Sequence, residues 1–364
     1  MTTTPFASTV RFPKGASDDF YHTLRSRATA YFEDNRISRH ANAQMVVKTV
    51  FMACLYLVPF ILSLTVADSK IFFFSLWLLM GVGISGIGLS VMHDANHGAY
   101  SSHKAVNRLL GYLLNVVGGC AAYWKIQHNV LHHTYTNIQG VDDDISRVKI
   151  LRFSPHAGRM KLHRYQHYYA WLLYGLMTLS WVTTKEFAQL FEFRDRGLLP
   201  GKHGFRNLLL EVVITKALYY AYILVLPILI LPFSPWFILL CFLCMHFVAG
   251  QILSLVFQPA HVLLENEFPL PNTEGRMENN WAVHQLLTTS DFGQDNRLLS
   301  WFVGGLNFQI EHHLFPKVCH VHYRALSGIV RQTAAEFHLP YHTEKSWGAA
   351  IRSHWRMLRE LAKP

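Results

Sequence analysis

The sequence predicts an all-α polytopic membrane protein: four transmembrane helices in two hairpins, with interfacial helices and a cytosolic helical cap. Three observations predict it. Of 364 residues, 51% are hydrophobic and 15% charged, where soluble domains carry roughly a quarter. Charge-free runs of about the 20 residues that span a bilayer core occur in adjacent pairs. The basic residues collect outside those pairs.

The elements follow in order. Residues 1–45 are polar and mixed in charge. They carry Asp18, Asp19, Glu33 and Asp34, which does not suit a transit peptide, and the first apolar run starts too late for a signal peptide. They are read as a cytosolic N-terminal preamble. Crossings are expected over about 46–67 and 71–92, joined by a tight turn at Asp68, Ser69 and Lys70. A second charge-free stretch, Ala217 to Leu264, is long enough for two crossings and broken by Pro232, Ser234 and Pro235, because proline stops a helix. This gives crossings over about 211–232 and 236–258. The shorter runs Leu109–Trp124 and Tyr165–Thr184 are read as interfacial or half-buried helices. The main domain is expected over 46–330, and 331–364 forms a cytosolic C-terminal tail.

Orientation follows from Lys and Arg, which favour the cytosolic side. Residues 1–45 hold six, Lys14 among them, 93–207 hold fourteen and 259–364 hold ten, whereas the two hairpin turns hold only Lys70. Both termini and the long middle segment therefore share the cytosolic side, the inner-membrane arrangement in a bacterium. The net charge of +10 forms no dense cluster of the kind that binds nucleic acid. Anionic lipid head groups or acyl-CoA phosphates suit it better. The five cysteines are odd in number and mostly lie in apolar runs, so no disulfide framework is implied. Cys241 and Cys244 read as packing residues.

The chain holds 22 histidines, many closely spaced. His93-Asp-Ala-Asn-His97 follows the second crossing. Gln127-His128-Asn-Val-Leu-His132-His133 follows the short apolar run. Gln309-Ile-Glu-His312-His313 lies in the C-terminal part, and His261 just past the fourth crossing. Helical residues i and i+4 share a face, so His93 and His97 can enter one site, as can His128 and His132. His133 is then turned about 100° toward a second metal. These eight imidazoles, with Gln309 as a ninth contact, exceed the four ligands of a structural zinc. Imidazole suits Zn, Cu, Fe and Ni, and a two-metal redox centre is the natural use. Asp94, Asp142, Asp144 and Glu311 are placed to receive the second N–H of a metal-bound imidazole. His103, His156, His163, His167, His203, His320 and His322 are expected to be solvated or supporting, and His246 to be a satisfied core residue.

These motifs closely resemble the membrane fatty acid desaturases. That family carries three histidine boxes: HxxxH or HxxxxH, HxxHH or HxxxHH, and HxxHH with Gln in place of the first His. The match covers about residues 45–330. The string NFQIEHHLFP, Asn307 to Pro316, together with LHHTYTNIQGVDDD, is similar to the front-end branch, which places a double bond between an existing one and the carboxyl end. The short form looks like bacterial linoleoyl-CoA desaturase-type proteins. The resemblance implies a diiron centre, dioxygen as co-substrate and a fatty acyl-CoA or acyl-lipid substrate. The fused cytochrome b5 domain of many eukaryotic members, marked by HPGG, is not found in this sequence. Electrons are therefore expected from a separate ferredoxin or cytochrome b5 type donor. Two other readings stay open: a diiron alkane, carotenoid or lipid hydroxylase, and a membrane metal transporter or receptor. The glutamine box weighs against the first. Gathering of the histidines at one face weighs against the second, since transport sites lie near mid-membrane.

Overall fold

The computed structural model describes residues 10–13, 18–199 and 201–363. Lys14 and most of the first seventeen residues of the expected preamble lie outside the described residues. The protein is 69% helical. In chain order the principal elements are α1 (Asp18–Asp34), α2 (Ala43–Thr65), α3 (Lys70–His97), α4 (Lys104–Val116), α5 (Ala121–Tyr135), α6 (Gln166–Gly175), α7 (Glu186–Asp195), α8 (His203–Ile230), α9 (Pro235–His261), α10 (Trp281–Thr288), α11 (Gln309–Leu314), α12 (Tyr323–Glu336) and α13 (Trp347–Glu360). The only strand pairing among the described elements is parallel: β1 (Asp291–Phe292) with β2 (Thr343–Glu344).

Four helices, α2, α3, α8 and α9, are long and apolar enough to cross a membrane. They match the four expected crossings, with two differences. The second runs five residues further, through His93 to His97, because charge-free sequence is not required for helix. The third begins earlier, at His203. The run Leu109–Trp124 is broken at Gly118, which takes φ +91°, a conformation that glycine adopts at little cost. The run Tyr165–Thr184 is helical from Gln166, with a π turn over Trp181–Lys185.

The chain forms two compact units. One comprises residues 43–125 and 171–255, which includes most of the four apolar helices. Glycines bring its helices close. A Cβ on Gly83 would stand 2.8 Å from the Tyr56 backbone nitrogen and 2.9 Å from the Leu55 carbonyl oxygen. One on Gly250 would stand 2.6 Å from the Gly175 carbonyl oxygen. Such contact of small residues is how helices associate where lipid removes the hydrophobic drive. Gly83→Val therefore forces α2 and α3 apart, with an expected loss of about 3 kcal/mol, the upper part of the overpacking range. Thermal unfolding in detergent measures it.

The same unit buries an ion pair. Lys216 Nζ on α8 lies 2.6 Å from Glu186 Oε2 on α7, with side-chain exposures of 6% and 0%. Glu186 Oε1 also accepts from the Cys120 backbone N–H and from Trp181 Nε1, each at 2.7 Å. Lys216 donates further to the carbonyls of Gly118 and Trp181. The pair thus ties the turn at Gly118 to two helices. His246, deep in α9, is a satisfied core residue as expected: its Nε2 lies 2.7 Å from Tyr219 Oη and its Nδ1 3.2 Å from Thr178 Oγ1.

The other unit comprises residues up to 42, 126–170 and from 256 onward. Its core packs α1 against α10, α11 and α12 through Phe20, Leu24, Leu286, Ile310 and Val330. Several of the histidines expected to be solvated or supporting are buried here: His163, His167, His320 and His322. His163 shows the reason. Its Nδ1 accepts from Met160 N–H at 3.0 Å and its Nε2 donates to the Lys149 carbonyl at 2.8 Å. It closes the loop by pairing two backbone groups that burial would otherwise leave costly.

Candidate metal centre

Six of the eight predicted imidazoles lie in the second-described unit. His128, His132 and His133 come from α5, His261 is the last residue of α9, and His312 and His313 lie on α11. All six are buried. Their ring nitrogens converge in two groups. His133 Nε2 lies 3.2 Å from His128 Nε2 and 2.9 Å from His312 Nε2. His132, His261 and His313 form a second group, with donor atoms all within 4.8 Å of one another. His313 also stacks on His133, with ring centroids 4.3 Å apart.

The sequence expects His128 and His132 to enter one site, with His133 turned toward a second metal. The His128 and His132 rings do stack, with centroids 5.3 Å apart, and their nitrogens gather with Asp144. His132 also faces His261 and His313, and His128 also meets His133. The cause is the winding of residues Lys125–His132, a π-helical segment. Its i→i+5 hydrogen bonding aligns residues five apart, which is the spacing of His128 and His133.

The opposite ring nitrogens explain the convergence. His132 Nδ1 donates to Asp142 Oδ2 at 3.1 Å, with Asp144 Oδ2 3.5 Å away. His313 Nδ1 donates to Gln285 Oε1 at 2.7 Å. His261 Nδ1 faces the Thr288 carbonyl at 3.4 Å, and His312 Nδ1 faces Tyr323 Oη at 3.2 Å. At His132, His313 and His261 the partner is an acceptor-only oxygen, which makes Nδ1 the donor and leaves Nε2 as an acceptor lone pair. Among the described residues, the Nε2 atoms of His261 and His313 and the side-chain amide nitrogen of Gln309 are buried without a hydrogen bond of good geometry.

Charge reinforces the pattern. Burial alone would depress His132, but the charge and hydrogen bond of Asp142, with Asp144 behind, raise its pKa above the usual imidazole value. His313 is held well below that value by burial and by the surrounding imidazoles, so it stays neutral. Near His133, one nitrogen stands within 3.2 Å of two others, yet one ring N–H cannot serve two Nε2 partners. A cation satisfies all three at once: two bonds of about 2.1 Å at a right angle hold their nitrogens roughly 3 Å apart. The residues present therefore fit metal ions bound by histidine.

The supporting structure was largely invisible in the sequence. Asn137, at φ +58°, donates from Nδ2 to the carbonyls of His261, Glu267 and Thr288, joining the end of α9 to the loop after α5. The backbone N–H of Asn137 in turn donates to Asp142. Gln285, Thr288 and Tyr323 had no motif to mark them. Of the predicted carboxylates, Asp142 and Asp144 lie at His132. Glu311 lies against Tyr341, whose hydroxyl donates to its Oε1 at 3.1 Å and to Asp291 Oδ2 at 2.6 Å. Burial raises the pKa of both carboxyls, and the charge of Asp291 raises Glu311 further. Asp291 Oδ1 accepts the Ile310 N–H at 2.9 Å and so anchors the first turn of α11. His284 is a further buried imidazole; burial lowers it to about 4, and its Nε2 donates to the Thr136 carbonyl at 2.8 Å.

Asp142→Asn tests the support. Asp142 accepts from His132, from Asn137 N–H and from Asp144 N–H. An amide group turns one acceptor into a donor facing a donor. Metal affinity is expected to fall by about 10- to 100-fold, read by chelator competition.

In the other unit, His93 and His97 lie on the last turns of α3 with ring centroids 4.8 Å apart. Both meet the edge of Trp124, each at 5.5 Å. The i, i+4 expectation for this pair holds. Gly98, at φ +75°, ends the helix directly after them. Asp94 is buried beside them on the same turn.

The sequence profile of the fatty acid desaturase family matches residues 68–345. The chain is 34% identical to the sn-1 linoleoyl-lipid 6-desaturase of Synechocystis over 94% of its own length and 96% of the relative's. It is 33% identical to the corresponding enzyme of Arthrospira platensis over 98% and 96%. It is 33% identical to the acyl-lipid (8-3)-desaturase of Physcomitrium patens over 97% of its length and 74% of the relative's.

Proposed function

We propose, from the premise that the chain belongs to the fatty acid desaturase family and is an integral membrane oxidoreductase, a specific reaction and site. A fatty acyl chain held on a glycerolipid gains a double bond on the carboxyl side of an existing one, at the Δ6 or Δ5 position. Two irons are bound by His93, His97, His128, His132, His133, His261, His312 and His313, with Gln309 as a further contact. Electrons come from a separate ferredoxin or cytochrome b5 type protein. The site and both termini face the cytosol.

The observation that carries the reading is the convergence of six buried imidazoles, four of which are tied at the opposite nitrogen to Asp142, Gln285, Thr288 and Tyr323. The relatives' names support the acyl-lipid substrate. The reaction balances as two vicinal C–H bonds, one dioxygen, two electrons and two protons yielding one C=C bond and two waters. When bound, the iron pair supplies the oxidising power against unactivated methylenes that side chains lack. The chain does the rest. Asp142 and Gln285 orient the imidazoles, and the buried surroundings exclude bulk water from the reacting carbons. Position along the acyl chain is set by the depth to which it enters, since a shift of one carbon changes the product.

The test is expression in a host of known lipid composition supplied with linoleate. New double bonds at carbon 6 or 5 of lipid-bound chains, dependent on dioxygen, are the expected outcome. A product that gains one oxygen instead of losing two hydrogens overturns it in favour of hydroxylation.

A further inference from the structure

The unit holding six of the imidazoles carries a one-signed surface that the chemistry does not use. From Arg147 to Ala170 the sequence has six basic residues and no Asp or Glu; from Lys345 to Lys363 it has five basic residues and one acid, Glu360. The fold joins these two segments. Arg152 Nη1 donates to the Leu361 carbonyl at 2.6 Å, Arg159 Nε to the Ala362 carbonyl at 2.9 Å and Gln166 Nε2 to the Leu358 carbonyl at 2.8 Å. The His167 ring packs edge-on to Trp355. Helix α13 is strongly two-sided. Ala350, Ser353, His354, Met357 and Leu358 are buried, while Arg352, Arg356 and Arg359 are exposed along the other face.

Lys161, Arg164, Arg352 and Arg356 are all exposed and have no carboxylate partner among the described residues. Glu360 is already paired with Lys363 at 2.6 Å. Apolar side chains stand among these cations. Met160, Leu162, Tyr165 and Tyr168 are exposed, Tyr168 by 67%. Arg164 lies over the Tyr165 ring, 4.8 Å from its centroid. A soluble acidic protein would match the charges but gains little from single protruding Leu, Met and Tyr side chains. A bilayer surface matches both, because tyrosines concentrate at the head-group level and cations meet anionic lipid there.

We infer that Lys161, Arg164, Arg352 and Arg356, with Met160, Leu162, Tyr165 and Tyr168, form a docking surface for anionic phospholipid head groups. The cations engage the phosphates and the apolar side chains enter the acyl boundary. This site is separate from the metal centre and needs no turnover to be observed.

The full chain, purified in dodecyl maltoside, is titrated with palmitoyl-oleoyl phosphatidylglycerol or phosphatidylcholine, and the thermal unfolding midpoint is followed. Each cation is worth about fivefold in affinity for an anionic surface. Phosphatidylglycerol is therefore expected to reach half its stabilising effect at a mole fraction at least about tenfold lower than phosphatidylcholine. High salt removes the difference, since screening shortens to about 3 Å at 1 M. The combined substitution Lys161→Gln, Arg164→Gln, Arg352→Gln and Arg356→Gln brings the two lipids within about twofold, with the midpoint in lipid-free detergent unchanged. The pair Lys161→Gln and Arg164→Gln alone gives an intermediate preference, which guards against a variant that folds poorly. Equal response to the two lipids in the unaltered chain overturns the inference. So does a preference that survives the four substitutions, including the case where the variant instead loses binding to an acidic electron-transfer protein.

Discussion

His313→Ala is expected to abolish desaturation, by at least about a thousandfold, and to lower bound iron below two per chain. The magnitude follows from position. Replacement of a mere supporting residue costs roughly 10–100-fold in affinity or activity. His313 stands between the two imidazole groups: its ring is 5.0 Å from His132, 4.9 Å from His261 and 4.3 Å from His133. Removing it deletes one donor and the contact that holds the stack. It also leaves Gln285 Oε1 with only the Thr136 hydroxyl as donor. The measurements are iron per chain and lipid double bonds by mass spectrometry. Activity within tenfold of the unaltered chain would show that this imidazole is not a ligand.

Lys216→Met is expected to cost about 3–5 kcal/mol of stability, because it leaves the Glu186 carboxylate buried without its counter-charge. The design of the test lies in the second substitution. Glu186→Gln keeps an oxygen for Cys120 N–H and Trp181 Nε1 while removing the charge. The double variant Glu186→Gln with Lys216→Met should therefore be milder than Lys216→Met alone, by about 2 kcal/mol or more, since no unpaired ion remains. Unfolding midpoints in detergent for the two singles and the double give the coupling. A double variant as unstable as the sum of its singles would mean that the pair acts through shape and not charge.

The spans and the histidine motifs were legible because both are local. A charge-free run of about 20 residues has few soluble uses, and i, i+4 spacing on one helix brings His93 and His97 together without reference to the rest of the chain. What supports the converging imidazoles was not legible. Gln285 meets Thr136 across 149 residues of sequence, and the Thr288 carbonyl serves His261 by backbone alone, which no residue type signals. Glu311 was read by adjacency to His312, but on a helix its side chain points away, toward Asp291 and Tyr341. For His163 and His322, outside the motifs, the sequence leaves open a solvated or a supporting place. Both close backbone gaps, a use that needs burial.

The loosened coil before His133 has a consequence for how such motifs are counted. His128 and His133 stand five positions apart, a separation that an ordinary α-helix throws onto different sides. Wider winding brings the two rings together edge-on, with their Nε2 atoms 3.2 Å apart. A chain written HxxHH has its outer rings four apart and needs no such widening. In this chain the extra residue of the longer spelling is taken up by the wider turn, which keeps the two outer nitrogens within reach of each other.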